Sequence, residues 1–342
     1  MENATFLIEL SARVARGTPL RQDLRWETVQ SNDGSGRVIV PSMPPAVLYR
    51  GQNARHSPCL PSICRGFQPM ARVVSELRRR DQLLLIKRLA QGRWFAETLS
   101  VHPAVRWATE QKLELDRVAL AQHYGVPTGY VDLTESFDVA AFFATCYFDE
   151  PSKKWLPCDD GEGVVYRLDW TLLPPSPKRV RWIGLQPLPR PSEQWGWTCE
   201  LFLGEDFEQA PSIENLPFKH SRVAGEHFLQ EFSSGDALFP SDPMARVAER
   251  IVLARTLPRW ALTETIADLM SDPKGIRRAT EDEVLEEIRS ELGLVGDSEA
   301  PSPMEGVDSR ELEAIWASRS GDFLRGVGFR LARTRRDGQS SA

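Results

Sequence analysis

The chain has 342 residues and a mass of 38.6 kDa, room for two or three domains of about 150 residues each. With 41% hydrophobic residues, 10 Trp and 15 Phe it can bury a core, which excludes global disorder. A net charge of −6 argues against a chain devoted to coating nucleic acid, although it leaves room for a local basic groove.

No apolar run approaches the roughly 20 residues of a membrane span. The opening MENATFLIELSARV lacks a basic leader and carries Glu9 inside its apolar stretch, so no signal peptide is expected. Five scattered cysteines (Cys59, Cys64, Cys146, Cys158 and Cys199) do not make a disulfide framework, and the expected location is a reducing cytoplasm.

In chain order, residues 1–45 read as a short helix followed by Gly- and Pro-rich turns at SNDGSG and VPSMPP. Ala46–Arg50 (AVLYR) reads as a buried strand ending at Gly51. From Ala71 to Gly125, Val74, Leu77, Leu83–Leu85, Leu113, Leu115, Val118 and Leu120 recur at helical spacing. Gly125 and Pro127 stop that pattern. GYVDL at 129–133 reads as a strand, and Thr134 and Ser136 stand at the N-cap of the helix VAAFFATCYF.

Strand candidates follow at 163–169, 178–184 and 198–203, and a further β-like stretch surrounds Phe228. PMARVAERIVL, ALTETIADLM and EDEVLEEIRSEL return to helix, and Gly296–Asp308 has the composition of a linker. SRELEAIWASRS reads as one more helix, before a basic tail carrying Arg325, Arg330, Arg333, Arg335 and Arg336. The expected fold class is α+β: a small, mostly antiparallel sheet, a helical insertion between its first strands, and a helical C-terminal region. The expected divisions are an N-terminal extension (1–45), an α+β domain (46–240), a helical region (241–295), and a linker, short helix and basic tail (296–342).

Five short segments stand out in order: Tyr49–Gln52 (YRGQ), Pro61–Arg65 (PSICR), Gln122–Thr128 (QHYGVPT), Asp132 with Thr134, and Ala140–Ala144 (AAFFA). Together they resemble the FRG domain, a bacterial and phage family named after the first of them, over residues 46–145. Gly129–Tyr130 stand where the family usually has a basic residue, and Leu133 where it usually has Trp. Arg222–Phe228 (RVAGEHF) is the counterpart of a later family segment but lacks its Gln.

The arrangement is also distantly similar to ADP-ribosyltransferases, which carry His or Arg at one strand end, Ser or Thr in a strand-to-helix element, and a late Glu. That likeness implies Arg50, Thr134 and Glu226 as catalytic residues, with Glu200, Glu205 and Glu208 competing for the last role. It implies Gln52, Gln122, His123, Tyr124, Asp132 and Ser136 as cofactor-binding residues, with NAD as substrate. A guanidinium holds pyrophosphate or ribose through forked hydrogen bonds. A carboxylate stabilises the oxocarbenium-like transition state, and His123 with Tyr124 would wall the nicotinamide.

Each residue also has a plainer reading. Arg50 would pair with an internal carboxylate such as Asp132, Gln122–Tyr124 would close a helix, and Asp132 with Thr134 would cap the next one. Ala140, Phe143 and Ala144 read as core. His56, Cys59 and Cys64 lack a second pair at zinc spacing, so no metal is expected. P-loop, Rossmann and Gly-x-Ser-x-Gly signatures are absent.

The resemblance implies an NAD-using transferase or glycohydrolase, a type that often serves as a bacterial toxin or phage-defence effector, with a macromolecular target. The alternative is a non-catalytic module that binds a nucleotide or phosphate ligand and regulates a partner protein. A third reading is a purely structural hydrogen-bond network. Neither a membrane nor, from the charge, nucleic acid is indicated as a partner.

Overall fold

A computed structural model describes residues 2–15, 26–30, 37–41, 45–67, 71–169, 179–183, 188–201, 203–210, 212–277 and 280–328. SNDGSG at 31–36 and the tail arginines Arg330, Arg333, Arg335 and Arg336 lie outside them. The first half of the chain forms β1 (Glu2–Asn3), α1 (Thr5–Ala15), β2 (Trp26–Gln30), β3 (Arg37–Pro41), β4 (Val47–Gln52), α2 (Arg79–Thr98), α3 (Pro103–Glu110), α4 (Arg117–His123), β5 (Tyr130–Thr134) and α5 (Phe137–Thr145). Then come β6 (Cys146–Asp149), β7 (Lys154–Pro157), β8 (Glu162–Asp169), β9 (Val180–Trp182), α6 (Pro189–Glu193), β10 (Gly196–Glu200), β11 (Ile213–Lys219) and α7 (Arg222–Glu231). The last are α8 (Pro243–Leu253), β12 (Thr256–Pro258), α9 (Arg259–Ser271), α10 (Glu281–Leu292), β13 (Val295–Asp297), α11 (Ser309–Gly326) and β14 (Val327–Gly328).

The fold is α+β. Seven strands form one sheet in the order β1-β11-β8-β4-β5-β10-β9, antiparallel except at the β1/β11 edge. β4 is central because its alternating residues have a buried partner on each face. Leu48 joins Val131, Leu133, Tyr166 and Leu168 on one side, whereas Tyr49 packs with Phe137, Phe142, Phe218 and Phe228 beneath α5 and α7 on the other. Gly51 is where helix and sheet come closest. A Cβ there would stand 1.8 Å from the Ala140 carbonyl oxygen, so only glycine lets α5 lie on the strand.

The helical insertion α2–α4 joins β4 to β5. Leu83, Ile86, Ala90 and Trp94 of α2 share one core with Val247 and Ile251 of α8, Leu262 and Ile266 of α9, and Val284 and Ile288 of α10. Gln91 is buried in it and donates through Nε2 to the carbonyls of Ile251 and Val252, both at 2.9 Å. Those carbonyls end α8, where the helix itself leaves acceptors to be satisfied; that of Ile251 also accepts from the Ala254 amide at 3.3 Å.

Three local readings differ from the sequence expectation. The β-like stretch around Phe228 is helix α7, because Ala224, Gly225 and Phe228 fall on one buried helical face. β11 was hidden by Pro217, a strand breaker in isolation. It is tolerated because β1 pairs only with Phe218 and Lys219, which leaves the Pro217 nitrogen with no ladder partner to satisfy. Gly296–Asp308, which reads as a linker, instead lies against the helical core through Met304 and Val307. Arg250 Nη1 ties it down by donating to the Pro303 carbonyl at 3.1 Å. Among the described residues, no helix is long and apolar enough to cross a membrane.

Candidate functional site

β4 and β5 pair at a single position, Tyr49 with Thr134, and then part. In a continuous ladder the carbonyls beyond that point would accept from the neighbouring strand. Here Arg50 Nη1 donates to the Asp132 carbonyl at 2.8 Å, so a side chain takes the place of the missing ladder bond. Arg50 is 8% exposed, and among the described residues its buried Nε has no partner. The salt bridge to the Asp132 carboxylate is therefore not formed: the bond goes to the main chain.

The splayed strands open into a cleft of about 310 Å³. Its lining includes Arg50, Gln52, Asn53, His56 and Arg65 from β4 and the loop after it, and His123, Asp132, Thr134 and Gln194 from the facing elements. The protein around the Arg65 guanidinium, and then the Arg50 charge, push its pKa down from the ordinary arginine value. Two cations thus face one space. Burial raises the pKa of the Cys59 thiol beneath them against the opposing pull of Arg50, and Cys59 Sγ lies 3.7 Å from Gln52 Oε1 as a weak donor.

A chain of hydrogen bonds links the short sequence segments. Ser62 Oγ accepts from the Thr128 amide at 3.0 Å and donates to Gln122 Oε1 at 3.0 Å, and Thr128 Oγ1 donates to the same oxygen at 2.6 Å. Gln122 Nε2 is thereby aimed at Asp132 Oδ2, 3.1 Å away. On the other side, Gln194 Nε2 donates to the Leu238 carbonyl, so its Oε1 accepts from His123 Nδ1 at 2.8 Å. His123 Nε2 then faces Asp132 Oδ1 at 3.8 Å.

Residues 45–153 match the family model of the FRG domain. The chain carries an FRG domain. No curated protein and no solved structure matches the chain significantly.

The five segments that resemble the FRG family meet around the cleft, although the helical insertion separates the first two from the rest. Arg50, Gln52, His123, Asp132 and Thr134 line it. Thr134 has little capacity left for a ligand, since Oγ1 donates to the Gln194 carbonyl at 2.8 Å and accepts from the Ser136 amide at 3.0 Å. Gln122 stands behind Asp132, and Ser136 caps α5 by accepting from the Val139 amide at 3.3 Å.

Two expected site residues are elsewhere. Tyr124 follows His123 at the helix end and points into the helical core, where its hydroxyl donates to the Asp242 carboxylate and Arg190 lies 5.2 Å from its ring. It cannot wall a ligand in the FRG cleft. Glu226 sits on the solvent face of α7, paired with Arg222 at 2.8 Å and half exposed, and is not part of the cleft lining. Of its competitors, Glu208 is occupied by the Tyr166 hydroxyl at 2.6 Å and by Arg55 at 3.2 Å. Glu200 and Glu205 face Arg181 and Arg179. The carboxylate in the cleft lining is Asp132.

The aromatic wall comes from residues the sequence did not single out. The β6–β7 hairpin brings Tyr147, Phe148 and Trp155 to the cleft beside Phe143 of α5. Tyr147 and Phe148 remain 39% and 40% exposed, and Trp155 is held from behind by stacking on Phe239 at 5.0 Å. Their only sequence signal is three aromatics flanking the polar turn EPSKK. Trp155 and Gln194 both lie outside the matched segment, so the FRG motifs alone do not complete the cleft. Among the described residues, no group of three or more His, Cys, Asp or Glu could hold a metal ion.

Proposed function

We propose that the FRG domain binds a nucleotide in this cleft, with the phosphate beside Arg50 and Arg65 and the base against Tyr147, Phe148 and Trp155. The observation that carries this reading is the state of Arg50. Its guanidinium is buried, donates to a carbonyl, and among the described residues has no partner at Nε and no ion pair, which makes it a cation without a counter-ion there. Leaving a charge in that state costs free energy that an anionic ligand would recover. A second arginine strengthens the attraction for phosphate, and the exposed rings offer a stacking surface that any nucleobase can use. The cleft volume is near the lower end of the range typical of ligand sites, about 300–1,000 Å³. It suits one nucleotide, or one half of NAD with the remainder in the open mouth.

ADP-ribosyl transfer from NAD is the second reading, favoured by the presence of the Asp132 carboxylate in the same cleft as Arg50. Without Glu226 in place, that carboxylate would have to support the developing cation.

Calorimetric titration of AMP and NAD into the wild type and Arg50→Lys tests the first reading. Lysine keeps the charge and loses the planar fork. The substitution should weaken binding by about 1.5–3 kcal/mol, the scale of a charged hydrogen bond. Equal affinities in the two proteins, or no heat with either ligand, would refute nucleotide binding here. Release of nicotinamide from labelled NAD by the wild type, lost in Asp132→Asn, would favour the transferase over the binding module.

A further inference from the structure

Resting on the nucleotide reading, we infer that Asp132 is the built acceptor for a ribose hydroxyl, so that the cleft selects ribonucleotides over deoxyribonucleotides. The two oxygens of this carboxylate are in different states. Oδ1 is buried without a hydrogen-bond partner and faces His123 Nε2, whereas the side chain as a whole is 43% exposed. The exposure therefore belongs to the Oδ2 side, which opens to the cleft. Oδ2 receives one hydrogen bond, from Gln122, and a carboxylate oxygen can accept more than one.

The carboxylate is held through Oδ2 by Gln122, and the His123 ring stands beside Oδ1 at 3.8 Å. Gln122 is fixed by the hydroxyls of Ser62 and Thr128, and His123 is fixed by Gln194, which is itself committed to the Leu238 carbonyl. Gly196 makes room for the imidazole, since a Cβ there would stand 3.0 Å from the His123 ring. An acceptor held this way has already lost its side-chain entropy, so a ligand donor meets a preorganised site. The donor's chemistry follows from the rest of the lining. Arg50 and Arg65 repel a cationic ligand and take up the anionic part of a nucleotide, and a carboxylate cannot bond phosphate oxygens. A neutral O–H donor beside a phosphate is what a ribose presents, and carboxylates bind ribose hydroxyls in this way in dinucleotide sites. A site built to bond a hydroxyl rejects the analogue that lacks it.

The test is a calorimetric series with the full chain: AMP, 2′-deoxy-AMP, 3′-deoxy-AMP and IMP, each against the wild type and Asp132→Asn. The wild type should bind AMP and IMP similarly and lose about 10- to 100-fold in affinity for at least one deoxy compound, the size of one charged hydrogen bond. Asp132→Asn, with melting temperature as the fold check, should bind AMP and its deoxy analogues alike. The wild-type series stands without the variant. Equal wild-type affinity for AMP and both deoxy compounds, with Arg50→Lys still weakening them, would overturn ribose selection and leave nucleotide binding intact. A loss confined to IMP would assign Asp132 to the base instead and overturn the inference. No binding of any nucleotide would overturn both readings together.

Discussion

Replacing Gly51 by alanine tests the packing on which the cleft depends. The strand at Gly51 is extended, so the substitution carries no backbone penalty of its own; its cost comes from contact. The new Cβ would stand 1.8 Å from the Ala140 oxygen and 2.8 Å from the Ala144 nitrogen, against a floor of 3.0 Å for real Cβ contacts. β4 and α5 must therefore separate by more than 1 Å, and both obstacles are main chain with no flexible side chain to swing aside. A gap of about 0.5–1 Å already forfeits a quarter to a half of the dispersion attraction across an interface. Overpacking of this kind costs about 1–3 kcal/mol, and the rigid obstacles place Gly51→Ala at the upper end. Urea unfolding followed by far-UV circular dichroism reads the value. Gly92→Ala in α2 is the counterpart, because nothing outside its own helix lies within 4 Å of its Cβ position. It should stabilise by about 0.5–1 kcal/mol. Gly51→Ala within about 0.5 kcal/mol of wild type, the range of ordinary surface substitutions, would show that β4 and α5 are not in rigid contact there.

Two further outcomes follow from buried titratable groups. His102 is wholly buried, its Nδ1 accepts from the Ala104 amide at 3.1 Å, and burial lowers its pKa from the ordinary 6.5 despite the charges of Asp242 and Glu313. The unfolded chain then binds the proton first, so stability should fall as pH drops below 6.5. His102→Asn keeps a capping acceptor and should flatten that acid limb between pH 6.5 and 5 in melting curves; an unchanged limb would contradict it. Burial also pushes the Cys146 thiol up to about 12 and those of Cys64, Cys158 and Cys199 to about 11, so all four should resist iodoacetamide at pH 7.5 until urea is added. Rapid native labelling at Cys146 would show that the cleft wall opens.

Much of the site was legible because its residues sit in short segments whose side chains converge wherever two strand ends meet. Arg50 and Asp132 could be paired in advance; that the bond would go to the Asp132 main chain could not, since it depends on β4 and β5 parting after one pair. Tyr124 lies away from the cleft because one step along a helix end turns a side chain by about 100° from the direction that His123 faces. Glu226 lies outside the cleft because its segment, which reads as strand, is helix and presents that carboxylate to solvent. The aromatic wall was not legible at all. The hairpin that carries it is placed by distant close approaches, Gly225 against Pro157 and Gly235 against Trp155, which no local pattern records. The helical layer was readable as helices but not as one core with the insertion, because periodicity shows that a face is buried and not what buries it.

On the nucleotide reading, a phosphate and a nucleobase ring occupy this cleft together. The structure of the full chain crystallised with AMP tests it most directly. The phosphate should lie within hydrogen-bonding distance of the Arg50 and Arg65 guanidiniums, with adenine against Tyr147, Phe148 or Trp155. AMP bound away from Arg50, or a cleft without nucleotide at saturating AMP, would contradict it.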